Sequence, residues 1–307
     1  MSPIIGVLKG GMSSERKVSL KSGAAVADAL RRRGHTVVEI DVGPELPRQL
    51  REARVDIAWI ALHGAFGEDG CVQGLLEIMR IPYTGSSAAA SAMAMDKIST
   101  KRMLGDVAVM KLPGDRVWRA GEEIPSDITY PIVAKTPTGG STIGVYICQD
   151  SGELKHALAA CVDWNEEVLL EEMITGEEIT VAVLDGVAMP VVAIRPVDGF
   201  FDFEAKYTKG QTEYLVPAPI AESIAQCAQE QAAASYRALS LSGIARADFI
   251  VDADGTPWFL EINTIPGMTA TSLSPMAAAA LGISFEELVE RLMRSACLHL
   301  QPANQNS

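Results

Sequence analysis

The densest chemistry in the sequence falls near its carboxyl end, where Ile244–Asn263 reads as two strands joined by Asp252-Ala253-Asp254-Gly255. Side chains alternate faces along a strand, so Arg246 and Asp248 share one face of the first, and Glu261 and Asn263 one face of the second. With 252–255 as the turn, Val251 lies opposite Thr256, Arg246 opposite Glu261, and Asp248 diagonal to Glu261. Two carboxylates and an amide are hard oxygen donors of the kind that suits Mg²⁺, completed by phosphate oxygens and water. The alternative is a solvated polar face with an Arg–Glu pair. The run Thr264-Ile265-Pro266-Gly267-Met268-Thr269 follows directly. A rigid Pro-Gly turn after an acidic strand can aim backbone N–H groups at a reacting oxyanion.

Other segments could serve the same chemistry. Lys135-Thr136-Pro137-Thr138-Gly139-Gly140-Ser141-Thr142-Ile143-Gly144 offers backbone N–H groups and a lysine to phosphate oxygens, without the Gly-Lys-Ser/Thr of a Walker A loop. By itself it is equally a plain Gly-rich turn. His63-Gly64-x-x-Gly67-Glu68-Asp69-Gly70 follows a strand and precedes a helix, where ligands bind in α/β sheets. Gly10-Gly11-Met12-Ser13-Ser14-Glu15 is an earlier strand-to-helix turn, in which Glu15 is either functional or a partner of the helix dipole. Glu204-Ala205-Lys206-Tyr207 lies in a polar loop.

The elements that must position these residues change character along the chain. Strand signals at Ile4–Leu8, Thr36–Val42 and Val55–Leu62 alternate with helices at Val18–Arg33 and Cys71–Met79. This rhythm predicts a parallel sheet with functional loops at its strand ends. A second unit, α+β in pattern, has a helix over Ser91–Leu104, strands at Tyr130–Lys135 and Val145–Cys148, a helix over Glu153–Val162 and a strand at Glu167–Met173. A third opens with the hairpin Ile179–Leu184, Asp185-Gly186, Ala188–Ile194. It continues through a polar loop, a long helix over Ala221–Leu239, the acidic hairpin, and a final helix with the capping box Ser284-Phe285-Glu286-Glu287, running to about Leu298. The expected domains are 1–92, 93–176 and 177–307.

Composition narrows the function classes. The 307 residues carry 26 Lys plus Arg against 39 Asp plus Glu, a net charge of −13, with 48% hydrophobic residues. A folded protein is expected, and wholesale binding to nucleic acid or an anionic membrane is not. No apolar run approaches the roughly 18 residues of a membrane span, and no signal peptide is legible. Five scattered cysteines without CxxC, and four scattered histidines, indicate neither a disulfide framework nor a zinc site. A cytoplasmic location is expected.

Read in order, these segments resemble the D-alanine–D-alanine ligases, ATP-grasp enzymes of peptidoglycan precursor synthesis. The matching runs are Gly10-Gly-x-Ser-x-Glu15, His63-Gly-x-x-Gly-Glu-Asp-Gly, Pro82-Tyr-Thr-Gly-Ser, Ala-Met-Asp96-Lys97 and the Lys135–Gly144 loop. Glu204-Ala-Lys-Tyr207 and Arg246-x-Asp248 leading to Glu261-x-Asn263-Thr-x-Pro-Gly-Met-Thr complete the set. The resemblance spans residues 4 to about 292.

The resemblance implies an N-terminal parallel-sheet α/β domain followed by a two-domain, α+β ATP-grasp fold that clasps ATP. It implies ATP-dependent joining of two D-alanines through a D-alanyl phosphate. Lys97, Lys135, Ser141 and Lys206 would meet phosphates; Glu171, Glu172 and Ile174 the adenine; Glu178 the ribose. Asp248, Glu261 and Asn263 would ligate two Mg²⁺, with Mn²⁺ possible. Glu15 would pair with the ammonium of the first D-alanine, His63 would be substrate-binding, and Ser272 with the backbone of Leu273 would hold the carboxylate of the second. Glu15, Ser141, Tyr207, Arg246 and Gly267 would be catalytic, and 200–214 would form a lid. A homodimer is common in the family. The nearest rivals are ligases with a D-serine or D-lactate acceptor and an inactive ATP-binding protein. Glu204-Ala-Lys-Tyr207 favours the D-alanine acceptor, and the intact Arg246, Asp248, Glu261 and Asn263 favour an active enzyme.

Overall fold

The structure, a computed structural model, describes residues 2–139, 144–162, 167–196 and 212–300. The chain begins with β1 (Ile4–Lys9), α1 (Arg16–Arg32), β2 (Thr36–Asp41), α2 (Leu46–Glu52), β3 (Ile57–Ile60) and α3 (Cys71–Met79). The three strands form the expected parallel sheet, in the order β2-β1-β3. β1 sits in the middle and is covered on both sides, which is why it reads as an unbroken apolar run. Helix α2 has no counterpart in the sequence reading; Pro47 sits in its first turn, where no N–H is needed.

The single helix expected over Ser91–Leu104 is two, α4 (Ala88–Met95) and α5 (Lys97–Leu104). Asp96 breaks them: its backbone is extended, and its Oδ1 accepts the Ser99 N–H at 2.6 Å as the cap of α5. The freed backbone bridges to Thr138, and the Lys97 N–H donates to Pro137 O at 2.9 Å. The interruption therefore docks the start of α5 onto the Gly-rich loop.

A four-stranded antiparallel sheet follows: β4 (Asp115–Arg119), β5 (Ile132–Lys135), β6 (Val145–Cys148) and β7 (Glu167–Glu172), ordered β4-β7-β5-β6, with α6 (Ser151–Val162) packed on it. The largest sheet contains β8 (Glu177–Leu184), β9 (Val187–Ala188), β10 (Val192–Pro196), β11 (Thr212–Leu215), β12 (Ile244–Val251) and β13 (Pro257–Asn263). Its order is β11-β10-β8-β12-β13, with β9 beside β8. The Asp185-Gly186 hairpin forms as expected, with φ of 49° and 84° at its two centres. Residues 212–214, the described end of the stretch read as a lid, belong to the edge strand β11. Helix α7 (Glu222–Ala238) covers one face of this sheet; α8 (Leu273–Ala280) and α9 (Phe285–Arg294) close the fold. α9 stops short of Leu298 because the chain turns back, and Cys297 forms a β-bridge with Tyr83.

One apolar core joins Ile5, Val26, Leu30 and Trp59 of the first unit to Leu184, Ile244, Met268, Leu288 and Leu292. A second, under α7, holds Ile179, Val181, Phe249, Phe259 and Ile262, with Ala90, Ala94 and Leu104 of α4 and α5. The four-stranded sheet has a core of its own around Trp118, Ala134, Leu154, Leu158 and Leu170.

Candidate active site

The acidic hairpin forms, but its register differs from the simple count. Val251 pairs with Pro257, and a bulge between Asp248 and Phe249 absorbs Leu260, so Asp248 lies directly opposite Glu261 and Arg246 opposite Asn263. The turn is also longer than expected: Asp252 N–H donates to Thr256 O at 3.1 Å, and Asp252 Oδ1 accepts the N–H groups of Asp254 and Thr256. Phe259 and Ile262 both enter the core under α7 although they are three apart, which strict alternation forbids. Glu261 is thereby kept off the core side and set on the face of Asp248.

On that face the Arg246 guanidinium grips Asp248 with two parallel bonds, Nε to Oδ1 at 2.8 Å and Nη2 to Oδ2 at 2.7 Å. Thr180, from β8, donates to Asp248 Oδ1 at 2.6 Å. Glu178, also expected here, lies two residues back along β8 and therefore on the same face. Lys97 Nζ stands 3.5 Å from Glu261 Oε2 and donates to Gly139 O at 2.8 Å. The hard-oxygen set is thus two carboxylates and an amide. Among the described residues no group of three or more His, Cys, Asp or Glu could hold a metal alone. Such a set fits Mg²⁺, which takes few protein ligands and completes its shell with phosphate oxygens and water.

In the four-stranded sheet, Glu171 is 2% exposed and paired with both Lys135 and Lys101, the latter at 2.6 Å. Burial pushes its carboxyl up, but the two ammonium groups outweigh this and hold it below the ordinary range. Its side chain is therefore committed within the protein, while neighbouring Glu172 is exposed and Ile174 half-buried. Lys101 was not singled out by the sequence reading; it also donates to Pro113 O at 2.9 Å.

Glu15 ends the turn before α1, where the Val18 and Ser19 N–H groups both donate to its carbonyl. Its side chain lies so close to Gly64 that a Cβ there would meet Glu15 Oε2 at 2.9 Å, and Gly64 has φ +68° besides. This loop thus brings Glu15 against His63-Gly64. His63 is buried; its Nε2 lies 3.2 Å from Ser22 Oγ and its ring forms a backbone hydrogen bond with Ile265. Burial, aided by the charge of Arg246, lowers its pKa to about 4, so the ring is neutral at pH 7. The ring of His63, a residue expected at the substrate, is thus held by Ser22 and Ile265. Glu68 accepts the Gly64 N–H at 2.7 Å and the Ile265 N–H at 3.2 Å, and burial, then the charge of Glu15, pushes its carboxyl up to about 8.

Ser272 precedes α8. Its hydroxyl accepts the Thr269 N–H at 3.1 Å rather than capping the helix, so the first turn from Leu273 has no side-chain cap. A helix N-terminus in that condition suits a carboxylate. Ser272 Oγ would stand 3.2 Å from a Cβ at Gly267, which places the two together. Ser141, Lys206 and Tyr207 lie outside the described residues. Ser22, Thr180, Lys101 and Glu68 were not read as site residues. Ser22 had a signal, since Glu15, Ser19 and Ser22 form a polar stripe at helical spacing.

Paired antiparallel sheets bearing lysines and hard-oxygen ligands, beside an α/β unit that offers Glu15, define the ATP-grasp class of ligases. The family description "D-ala D-ala ligase C-terminus" matches residues 110–294, and "D-ala D-ala ligase N-terminus" matches residues 44–86. A D-alanine–D-alanine ligase of Syntrophotalea carbinolica is 49% identical over 295 residues, covering 96% of each chain. One from Anaeromyxobacter sp. is 49% identical over 298 residues, covering 96% of this chain and 97% of its own. The solved structure of the Bacillus anthracis D-alanine–D-alanine ligase complexed with ATP superposes with a TM-score of 0.84 at 34% identity, covering 96% of this chain and 97% of that one. The chain belongs to the D-alanine–D-alanine ligase family.

Proposed function

We infer that this chain joins two D-alanine molecules to D-alanyl-D-alanine, with ATP cleaved to ADP and phosphate through a D-alanyl phosphate, in peptidoglycan precursor synthesis. The observation that carries the reading is the face where Asp248 opposes Glu261 and Arg246 opposes Asn263, with Lys97 beside Glu261.

A carboxylate is a poor acyl donor because oxide is a poor leaving group. The first D-alanine, its ammonium paired with Glu15, presents its carboxylate to the γ-phosphate of ATP. Lys97 and Lys135 lie where phosphate charge would gather, and Glu178 and the 171–174 segment would hold the nucleoside. Magnesium (or manganese), held by Asp248, Glu261, Asn263 and phosphate oxygens, supplies charge neutralisation for that transfer. The second D-alanine places its carboxylate at Ser272 and the Leu273 N–H and attacks the acyl carbon with its neutral amine. Arg246 and the Gly267 N–H stabilise the oxyanion. Ser141, Lys206 and Tyr207 belong to the same proposal: Lys206 meets phosphate, and Tyr207 with Ser141 ties the loop to Glu15.

The proposed domains are 1–92, 93–176 and 177–307, since the strands of each sheet fall within one range. Homodimer formation rests on the family resemblance and is checked by sedimentation velocity. Among the described residues no helix is long and apolar enough to cross a membrane; a cytoplasmic location is part of the proposal. The purified chain, given ATP, Mg²⁺ and D-alanine, is expected to release phosphate and form the dipeptide in equal amounts. ATP cleavage without dipeptide would overturn the reading.

A further inference from the structure

The turn after β13 has an unusual distribution of backbone donors. The Ile265 N–H donates to Glu68 Oε1 at 3.2 Å. Pro266 has no N–H. The Met268 N–H donates to Ser22 Oγ at 3.1 Å. Between them, the Gly267 N–H has no recorded acceptor among the described residues. Both acceptors come from the first unit, not from the unit that carries the turn. Ser22, on α1, is 1% exposed, and Glu68, before α3, is 7% exposed. Each is fixed in turn: Glu68 also accepts the Gly64 N–H, and Ser22 lies 3.2 Å from His63 Nε2. The neutral ring of His63 can accept the Ser22 proton, leaving the serine oxygen to receive the Met268 N–H.

We propose that Ser22 and Glu68 are positioning residues for ligation, clamping the turn on both sides of Gly267 so that the N–H between them is held for the reacting oxyanion. The inference rests on the ligase reading above. In the step concerned, the amine lone pair forms the new C–N bond and the carbonyl π pair moves onto oxygen. As that oxyanion collapses, the bond from carbon to the phosphate oxygen breaks, and phosphate leaves with its electron pair and the proton lost from nitrogen. Charge builds on the carbonyl oxygen here, whereas the earlier phosphoryl transfer builds it on phosphate. A displaced Gly267 donor therefore slows the second half-reaction and spares the first.

The test separates the halves. Reversible phosphoryl transfer is read by scrambling of a heavy-oxygen label between bridging and non-bridging positions of ATP, and ligation by dipeptide mass spectrometry. Ser22→Ala and Glu68→Gln are expected to slow ligation about tenfold or more, since misplacing a preorganised donor costs up to ~10²-fold. Scrambling and the KM for ATP should stay within about twofold of wild type, a margin small beside that loss. Ser22→Thr keeps the hydroxyl and is expected to restore most of the rate. Ser19→Ala is the control: it removes a buried bond from the same helix to Ala61 O and leaves the turn alone. Equal loss of scrambling and ligation, a matching loss in Ser19→Ala, or unimpaired ligation in both test variants overturns the proposal. A wild-type chain that makes no dipeptide sinks the ligase reading instead.

Discussion

β1 and α1 share an apolar core with β8, β10, β12, α8 and α9, whereas the four-stranded sheet closes over a core of its own. The first junction is continuous: Met268 of the turn after β13 packs in the same cluster as Val26 and Leu288, and Cys297 pairs with Tyr83 across it. The four-stranded sheet meets its neighbours through ions and backbone, Lys101 to Glu171 and Asp115, and Asp96 with Thr138. The D-alanine side of the proposed site is therefore built into one solid body. The phosphate side depends on groups that can exchange protein partners for ligand ones.

The largest effect expected lies where the two sides meet. Glu261→Gln should lower ligation by more than about a thousandfold while leaving the thermal midpoint nearly unchanged, because a neutral amide cannot balance bound dications. Dipeptide yield against a melting curve checks it; turnover within tenfold of wild type would remove Glu261 from the site.

Leu288→Ala and Leu154→Ala each delete a fully buried side chain, in the shared and the separate core respectively. Each should cost about 2–5 kcal/mol, with different footprints. Hydrogen exchange should rise in β1, β8 and β12 together for Leu288→Ala, but only in β4–β7 for Leu154→Ala. Identical footprints would erase the contrast drawn above.

The pH dependence of stability sharpens it further. Glu68 stands at about 8 in the fold against an ordinary 4.5, so the unfolded chain ionises first and this group makes stability fall as pH rises from 4.5 to 8. His63 stands at about 4 against 6.5, so its contribution is lost as pH falls through that window. Above 6.5 only the Glu68 slope remains of the two, and Glu68→Gln should flatten the change in thermal midpoint between pH 6.5 and 8. The smallest effect is expected at the rim of the shared junction. Arg32→Ala, which removes an exposed pair with Glu286, should change stability by under about 1 kcal/mol in chemical denaturation.

The elements and the hairpin were legible because hydrophobic periodicity and turn residues act locally. β4 escaped because Asp115-Arg-Val-Trp-Arg119 is too polar to read as a strand, and sits at a sheet edge. The break at Asp96 escaped because Ala- and Met-rich helix formers flank it and hide a cap that the Gly-rich loop completes. Glu68 and Ser22 escaped for a different reason: their partners lie 197 and 246 residues away, a separation no spacing rule spans. The carboxylates of the hairpin were found, but their pairing was not, since counting by twos cannot see one extra residue.

That extra residue also sets how the hairpin tolerates insertions and deletions. Losing Leu260 would leave composition and hydropathy almost unchanged, and it would bring Phe259 and Ile262 two apart, so that plain alternation alone would hold both in the core. Glu261 and Asn263 would then keep the face of Asp248 and Arg246 with no bulge to set them there. A gap of one residue here amounts to a frameshift that leaves every downstream meaning intact, because the bulge had already absorbed the odd letter, whereas the same gap in the Asp252–Gly255 turn changes only a loop.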